Sequence, residues 1–490
     1  MIRRSWMVPL FILTCMLLAH HGSFFTYFDD ETIRFFILDR NDIYYFPGCL
    51  WGNWINLPVA SQTYRPLMTI SFLVERMMYG GAAWGYHLTN FLLHYFAVLA
   101  FIRLAALTTP GKKSLPAAAA LFFALHPLAT QPLWILGDRA ETAVLLFNSL
   151  AVIFFTTAIR DHRPFRYPVA LGCFFLSLSC KETAITLPLL LLLADWLLPN
   201  QKSRIKLTSR AIPHLPFWGL LAGYILFRAW LFSGLGGYSS FSHLAFLHTP
   251  GILCQDFDWM WIVPLGQKHL CIIYPIMFLL FLHPRWPISV RFGNLWTAIT
   301  LLPVLNLCQK WYLYSPLAGW ALVLAGLLTT TGRRLPRARL IMVAIISLTL
   351  GLGSHAELTS QRRTAAAAAA AVTAVRETLP EVSRGATVRF LLPPGVPMSR
   401  LTGHFFRIKG FQVEKYPSPL RGIVKDLNQT RYLDGRPIFN RLVQSRLRLE
   451  YNDPELRAEL AADTIRTPRT GSRVVTFQLH PETFTWEYQP

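Results

Sequence analysis

Three consecutive acids, Asp29, Asp30 and Glu31, follow the first apolar stretch of a chain that is otherwise largely hydrophobic. A carboxylate beside a bilayer is costly to desolvate, so its presence calls for a function. Asp29 or Asp30 suits a general base that takes a proton from a hydroxyl at the membrane face. The plain alternative is a hydrated acidic loop. Further along lie cations able to hold an anion there: Arg65 in a Tyr-Arg-Pro-Leu run, Arg139 in Gly-Asp-Arg-Ala-Glu, Lys181 beside Glu182, and Lys310 ahead of Tyr312 and Tyr314. Cations in such places stabilise a phosphate leaving group by charge-assisted hydrogen bonds. Polar residues that could line the same place are Tyr64, His87, Asn90, His126, Glu141, Glu182, Tyr312 and Tyr314. Asp29, Asp30, Glu141 and His87 offer oxygen and nitrogen ligands for a divalent metal, although their spacing does not demand one.

These groups must be positioned by membrane helices. Hydrophobic residues make up 53% of the 490, charged residues 15%, and the mean hydropathy is +0.36, which excludes an ordinary soluble chain. The net charge of +21 is scattered through short loops rather than gathered into a patch, which argues for a membrane explanation and against a nucleic-acid partner. Runs long enough to span fall at about 6–20, 86–108, 115–133, 141–159, 168–180, 183–199, 211–232, 269–283, 293–309, 311–331 and 340–356, with 252–265 a further short or interfacial helix. Arg3 and Arg4 precede the first, and no small-residue cleavage site follows it, so an uncleaved anchor is expected.

Basic residues concentrate in the loops on one side (Lys112, Lys113, Arg160, Arg163, Arg166, Lys202, Arg204) and acids in the loops opposite. The positive-inside pattern therefore puts the N-terminus inside and places every polar motif above at the outer face. His87, Asn90 and His94, at i, i+3 and i+7, share one helical face. Taken singly, the motifs also read as caps, ion pairs or interfacial aromatics. Their convergence on one face points to one site. A polytopic transporter or lipid flippase is the rival reading, but such proteins place ionisable groups near the midplane, often in two repeated halves, whereas these spans read as almost free of charge and show no repeat. A simple anchor would need one span.

From Glu357 the composition changes to twenty basic and thirteen acidic residues with no run able to span. An alanine-rich helix over Arg362–Leu379 leads to alternating strand-like pieces at 386–392, 411–416 and 473–479. We expect residues 1–356 to form a transmembrane domain with a long first outer loop (about 21–85), and 357–490 a small α+β extracytoplasmic domain. The fold class is thus mainly α, a polytopic membrane protein of about eleven spans. All seven cysteines precede residue 309, so the outer domain is no disulfide scaffold. Cys254 and Cys271 could pair, though free thiols fit the pattern better.

The order FDD (28–30), YRPL (64–67), GYHLTNFLLH (85–94), ALHP (124–127), GDRAE (137–141), KETAITLPLLLLLADWL (181–197) and YLYSPLAGWALVLA (312–325) resembles the transmembrane core of GT-C glycosyltransferases. It is similar above all to the O-mannosyltransferase-like group that carries tetratricopeptide repeats, here without the repeats. Where that group has an arginine beside the tyrosine of the tenth span, this chain has Lys310 and Trp311. The resemblance covers roughly residues 5–356. It implies an inverting transfer of a mannose-like or other hexose from a polyprenyl-phosphate donor to a hydroxyl of a protein or glycolipid. It also implies a multi-pass membrane location, the bacterial inner membrane with a periplasmic active face or an endoplasmic-reticulum membrane with a lumenal one.

Overall fold

The computed structural model describes residues 7–20, 63–111, 114–198, 211–232, 273–305, 310–331 and 336–378, isolated positions between 253 and 260, and four strands beyond 386. Asp29, Asp30, Cys254 and Cys271 lie outside the described residues.

The described part of the membrane region is helical: α1 (Met7–His20), α2 (Pro66–Tyr79), α3 (Ala83–Thr108), α4 (Ser114–Ala124), α5 (Arg139–Arg160), α6 (Arg166–Leu178), α7 (Leu187–Leu197), α8 (Leu215–Phe232), α9 (Ile273–Leu282), α10 (Ile288–Leu301), α11 (Tyr314–Thr331) and α12 (Pro336–Thr378). Each of the eleven apolar runs holds one of these helices. Five are long and apolar enough to cross a membrane: Ala83–Thr108, Leu136–Arg160, Ile212–Phe232, Lys310–Leu328 and Arg337–Gln361. Met7–His20, Ser114–Ala124 and Arg166–Leu178 are apolar but shorter. The chain is a helical membrane protein.

Two structural details depart from the sequence expectation. First, the expected outer loop contains a helix, α2. Thr69, Phe72 and Glu75 face inward from it, while Val74, Met77 and Met78 are exposed. Second, the third run is broken. Pro127 and Pro132 cannot donate an amide hydrogen, so α4 ends at Ala124 and the chain continues as short turns over Pro127–Thr130 and Gln131–Trp134.

The core lies where α3, α4, α5, α10 and α11 pack together. The apolar span that holds α11 is 83% buried but that of α12 only 11%, so α11 is central and α12 peripheral. Leu340, Ile341, Ile345, Leu348 and Leu352 of α12 are exposed, as lipid-facing residues should be. The approach of α10 to α11 depends on glycine. A Cβ at Gly319 would run into the Gly293 carbonyl oxygen, and one at Gly293 into that of Gly319. With the backbones this close, Trp296 Nε1 donates to the Ser315 carbonyl (3.0 Å) and Thr297 Oγ1 to that of Pro316 (3.0 Å), pinning the start of α11.

Beyond α12, β1 (Thr387–Leu391), β2 (Gln412–Tyr416), β3 (Val474–Leu479) and β4 (Trp486–Gln489) form a sheet of order β2-β1-β3-β4. β1 pairs in parallel with both β2 and β3, and β4 returns antiparallel to β3. The first three strands fall within the three alternating stretches.

Candidate active site at one end of the helix bundle

Lys181 and Glu182 are neighbours in sequence, but their side chains part. Lys181 adopts extended backbone (φ −162°, ψ 151°), and successive side chains on an extended chain point opposite ways. Lys181 Nζ pairs with Glu141 Oε1 at 2.8 Å, with both side chains buried, and sits 4.5 Å above the Tyr312 ring. Glu141 also accepts from Thr183 Oγ1 (3.2 Å). Glu182 turns to Arg65, which grips it with two nitrogens, Nη2 at 3.0 Å and Nε at 3.4 Å. Arg228 Nη1 stands 3.9 Å from the same carboxylate and donates to Tyr224 Oη at 3.1 Å. Burial alone would raise the Glu182 carboxyl, but Arg65, Arg228 and Lys181 overcome it and hold the group down at about 2. Asp138 is buried in the field of Lys181, Glu141 and Arg65, and its Oδ2 lacks a hydrogen-bond partner. Tyr64 packs edge-on against Phe227 at 5.1 Å, and burial beside Tyr224 pushes its phenol up to about 12.

Arg139 stands in a separate pair. It donates to Glu75 Oε2 on α2 at 2.5 Å, to Ser71 Oγ and to the Tyr86 carbonyl, and it covers the Phe72 ring at 4.1 Å. Burial raises the Glu75 carboxyl, and Arg139 works against that rise. Arg139 and Glu141 are two apart on one helix and do not face each other, which is why each finds a partner elsewhere.

The histidines and Asn90 repair the broken third run. His87 Nδ1 lies 3.1 Å from the Leu133 carbonyl, and Asn90 Nδ2 donates to that of Pro132 at 2.6 Å. These carbonyls belong to the proline-interrupted turn, and buried backbone acceptors need such partners. His126 Nδ1 accepts from the Leu128 amide, so its Nε2 carries the proton that meets the Met260 carbonyl at 3.0 Å. His94 Nδ1 and Tyr314 Oη lie 2.5 Å apart, with His20 beside them. Lys310 Nζ lies 5.8 Å from the Trp259 ring centre.

The structure therefore brings Arg65, Lys181, Glu182, Glu141 and Tyr312 together. It sets Arg139, His126 and Lys310 on partners of their own. Sequence reading missed Glu75, Asp138, Tyr224 and Arg228. The signal for Arg228 was present: a cation inside an apolar span is expensive and marks a functional place. Among the described residues, no group of three His, Cys, Asp or Glu side chains is gathered to hold a metal ion. Glu141, from the candidate metal set, is committed to Lys181 and Thr183.

No family model matches the chain. Protein O-mannosyl-transferase Tmtc2 of Drosophila melanogaster is 32% identical over 157 residues, which is 31% of this chain and 17% of that protein. Human protein O-mannosyl-transferase TMTC3 is 28% identical over 169 residues, 32% of this chain and 18% of the relative. The chain is similar to protein O-mannosyl-transferases. Each of these two matches spans under a fifth of the relative's length. Among solved structures, ArnT from Cupriavidus metallidurans bound to undecaprenyl phosphate aligns with a TM-score of 0.43 and 13% identity, over 87% of this chain and 89% of that one.

Proposed function

We propose that the chain is a membrane glycosyltransferase that moves a hexose, mannose-like or other, from a polyprenyl-phosphate donor to a hydroxyl of a protein or glycolipid. The observation that carries this reading is the convergence of Arg65, Lys181 and Arg228 on two carboxylates, Glu182 and Glu141, at one end of the bundle. Buried cations of this kind suit a lipid phosphate that becomes a leaving group and needs positive charge rather than a proton. The similarity to protein O-mannosyl-transferases and the order of the polar motifs support the same class.

In the proposed reaction, Asp29 or Asp30 takes the proton of the acceptor hydroxyl. The oxygen attacks the anomeric carbon, and the bond from that carbon to the phosphate oxygen breaks. Its electron pair stays on the polyprenyl phosphate, and the anomeric centre inverts. Arg65 and Lys181 steady the departing phosphate, with Lys310 as a further cation and Tyr64 and Tyr312 lining the place. His87, Asn90, His126 and the His94–Tyr314 pair shape the surrounding backbone and helix ends. Arg139 acts through Glu75 rather than on the donor. The proposed site faces the periplasm of a bacterial inner membrane, with the N-terminus cytoplasmic and residues 357–490 as an α+β unit on the active side.

Mass spectrometry of glycoproteins and glycolipids from cells with and without the chain tests the reading. A glycoconjugate should disappear without it, and one of Asp29→Asn or Asp30→Asn should fail to restore that product. A general base of this kind is worth typically ~10²–10⁴-fold in rate. An unchanged glycan profile, or full restoration by both variants, would overturn the proposed chemistry. Loss of solute or lipid movement with every glycan intact would indicate a transporter.

A further inference from the structure

Asp138 holds the N-cap position of α5, where an aspartate side chain ordinarily accepts from the amides of the first helical turn. Here its backbone is already helical (φ −81°, ψ −5°) instead of extended, and the side chain makes no capping bond. Only 9% of the residue is exposed, and Oδ2 has no hydrogen-bond partner. The charges acting on it are those of the candidate site, Lys181 first, then Glu141 and Arg65. Native structures rarely leave a buried carboxyl oxygen orphaned without a functional cause. Whatever completes it must bring a hydrogen bond and no negative charge. A phosphate would meet this carboxyl as like meets like. A hydroxyl suits it in either protonation state, because a hydroxyl both donates and accepts. In a polyprenyl-phosphate hexose the hydroxyls stand on the ring bonded directly to the phosphate oxygen. A carboxyl beside the phosphate-holding cations is therefore placed for that ring.

We propose that Asp138 binds the sugar of the donor, with Oδ2 meeting a ring hydroxyl of the hexose while Lys181 and Arg65 hold the phosphate bonded to it. This rests on the donor assignment above and deepens it to the residue that recognises the sugar. The same carboxyl then sorts ligands: it repels a bare phosphate and favours one that arrives carrying a hydroxylated ring. After transfer the lipid phosphate has lost its ring. The hydroxyl contact goes with the sugar and the repulsion remains, so Asp138 also favours release of the spent lipid.

The test uses the purified full chain in detergent and short-chain probes: polyprenyl-phosphate mannose, polyprenyl-phosphate glucose, polyprenyl phosphate without sugar, and the polyprenol alone. The quantity read is the affinity for the better sugar-bearing lipid divided by that for the bare phosphate, which cancels what the phosphate and chain contribute. Asp138→Ala should lower this ratio by roughly ten- to a hundredfold, the value of a hydrogen bond to a charged group. The bare phosphate should bind that variant no more weakly, since a carboxyl that repels it is gone. Asp138→Asn keeps an acceptor oxygen and should lose less. Circular dichroism and gel filtration show which variants fold, and if Asp138→Ala does not, the drop in Asp138→Asn decides the question. An unchanged ratio in the folded variants overturns the inference, gives Oδ2 to a bound water only, and leaves the donor assignment standing. Equal weakening of sugar-bearing and bare phosphates makes Asp138 a support for the neighbouring cations and also overturns it. If the unaltered protein binds the bare phosphate but neither sugar-bearing lipid, this inference alone falls. No preference for phosphate over polyprenol in the unaltered protein overturns both readings at once.

Discussion

The Glu75–Arg139 pair is nearly water-free, with 5% and 1% of the two side chains exposed, so its two halves should respond unequally to removal. Glu75→Leu strands a guanidinium that cannot lose its proton, leaving, among the described residues, Ser71, the Tyr86 carbonyl and the Phe72 ring around it. Breaking a buried pair in this way costs about 3–5 kcal/mol. Arg139→Met strands a carboxyl instead, and a carboxyl can neutralise itself by taking up a proton. Its cost should be nearer ~1–3 kcal/mol, the desolvation of an unsatisfied polar group. The second deficit must also grow with pH. In that variant the folded Glu75 carboxyl, raised by burial, binds its proton more tightly than the unfolded one, so stability falls as pH rises above the unfolded value, by up to ~1.4 kcal/mol per unit. Glu75→Leu combined with Arg139→Met removes both charges and should recover most of the stability. The assay is thermal unfolding of the detergent-purified protein between pH 5 and 8, paired with glycan transfer. Equal costs for the two single variants would refute the asymmetry. A stable double variant that remains inactive would refute the structural role given to Arg139 and return it to the donor.

Three further outcomes are expected. Gly319→Ala should destabilise by about 1–3 kcal/mol, because besides the Thr297 hydroxyl its Cβ meets the Gly293 carbonyl and the Thr297 amide, backbone that cannot swing away; unchanged thermal unfolding would contradict the close α10–α11 contact. The Glu182 carboxyl is held at about 2, below its ordinary 4.5, so its contribution is complete above pH ~4.5 and fades as pH falls toward 2; the wild type should lose stability over that window and Glu182→Gln should lack the slope, with identical profiles counting against the ion pair. Single cysteines at Ser203 and Ser399, in a background without native cysteines, should separate under an impermeant thiol reagent added outside, with 399 labelled and 203 protected; labelling of 203 alone would invert the proposed topology.

The helices were legible because a helix of this kind is written as an apolar run, and each of the eleven runs holds one, five of them long and apolar enough to cross a membrane. The helix α2 was not legible, because its pattern is inverted for an ordinary amphipathic helix. A glutamate is buried while Met77 and Met78 are exposed, an arrangement that makes sense only once Arg139 is known to lie beneath it. Within the candidate site, the residue types could be read from the sequence, but their pairing could not. Lys181 and Glu182 look like one ion pair in sequence and belong to two. Arg228 was hidden by its apolar neighbours, since averaging over Phe227 to Phe232 hides a single charge. Asp29 and Asp30, prominent in sequence, lie outside the described residues.

The segment Lys310–Tyr314 sends alternate side chains to three separate places: Lys310 to Trp259, Tyr312 beneath Lys181, and Tyr314 to His94. A stretch of five residues thus acts as a ruler with three marks, and no mark can move alone. Substitutions can adjust one contact at a time, but insertion or deletion of a single residue would misplace all three together. This connection should therefore accept changes in chemistry far more readily than changes in length.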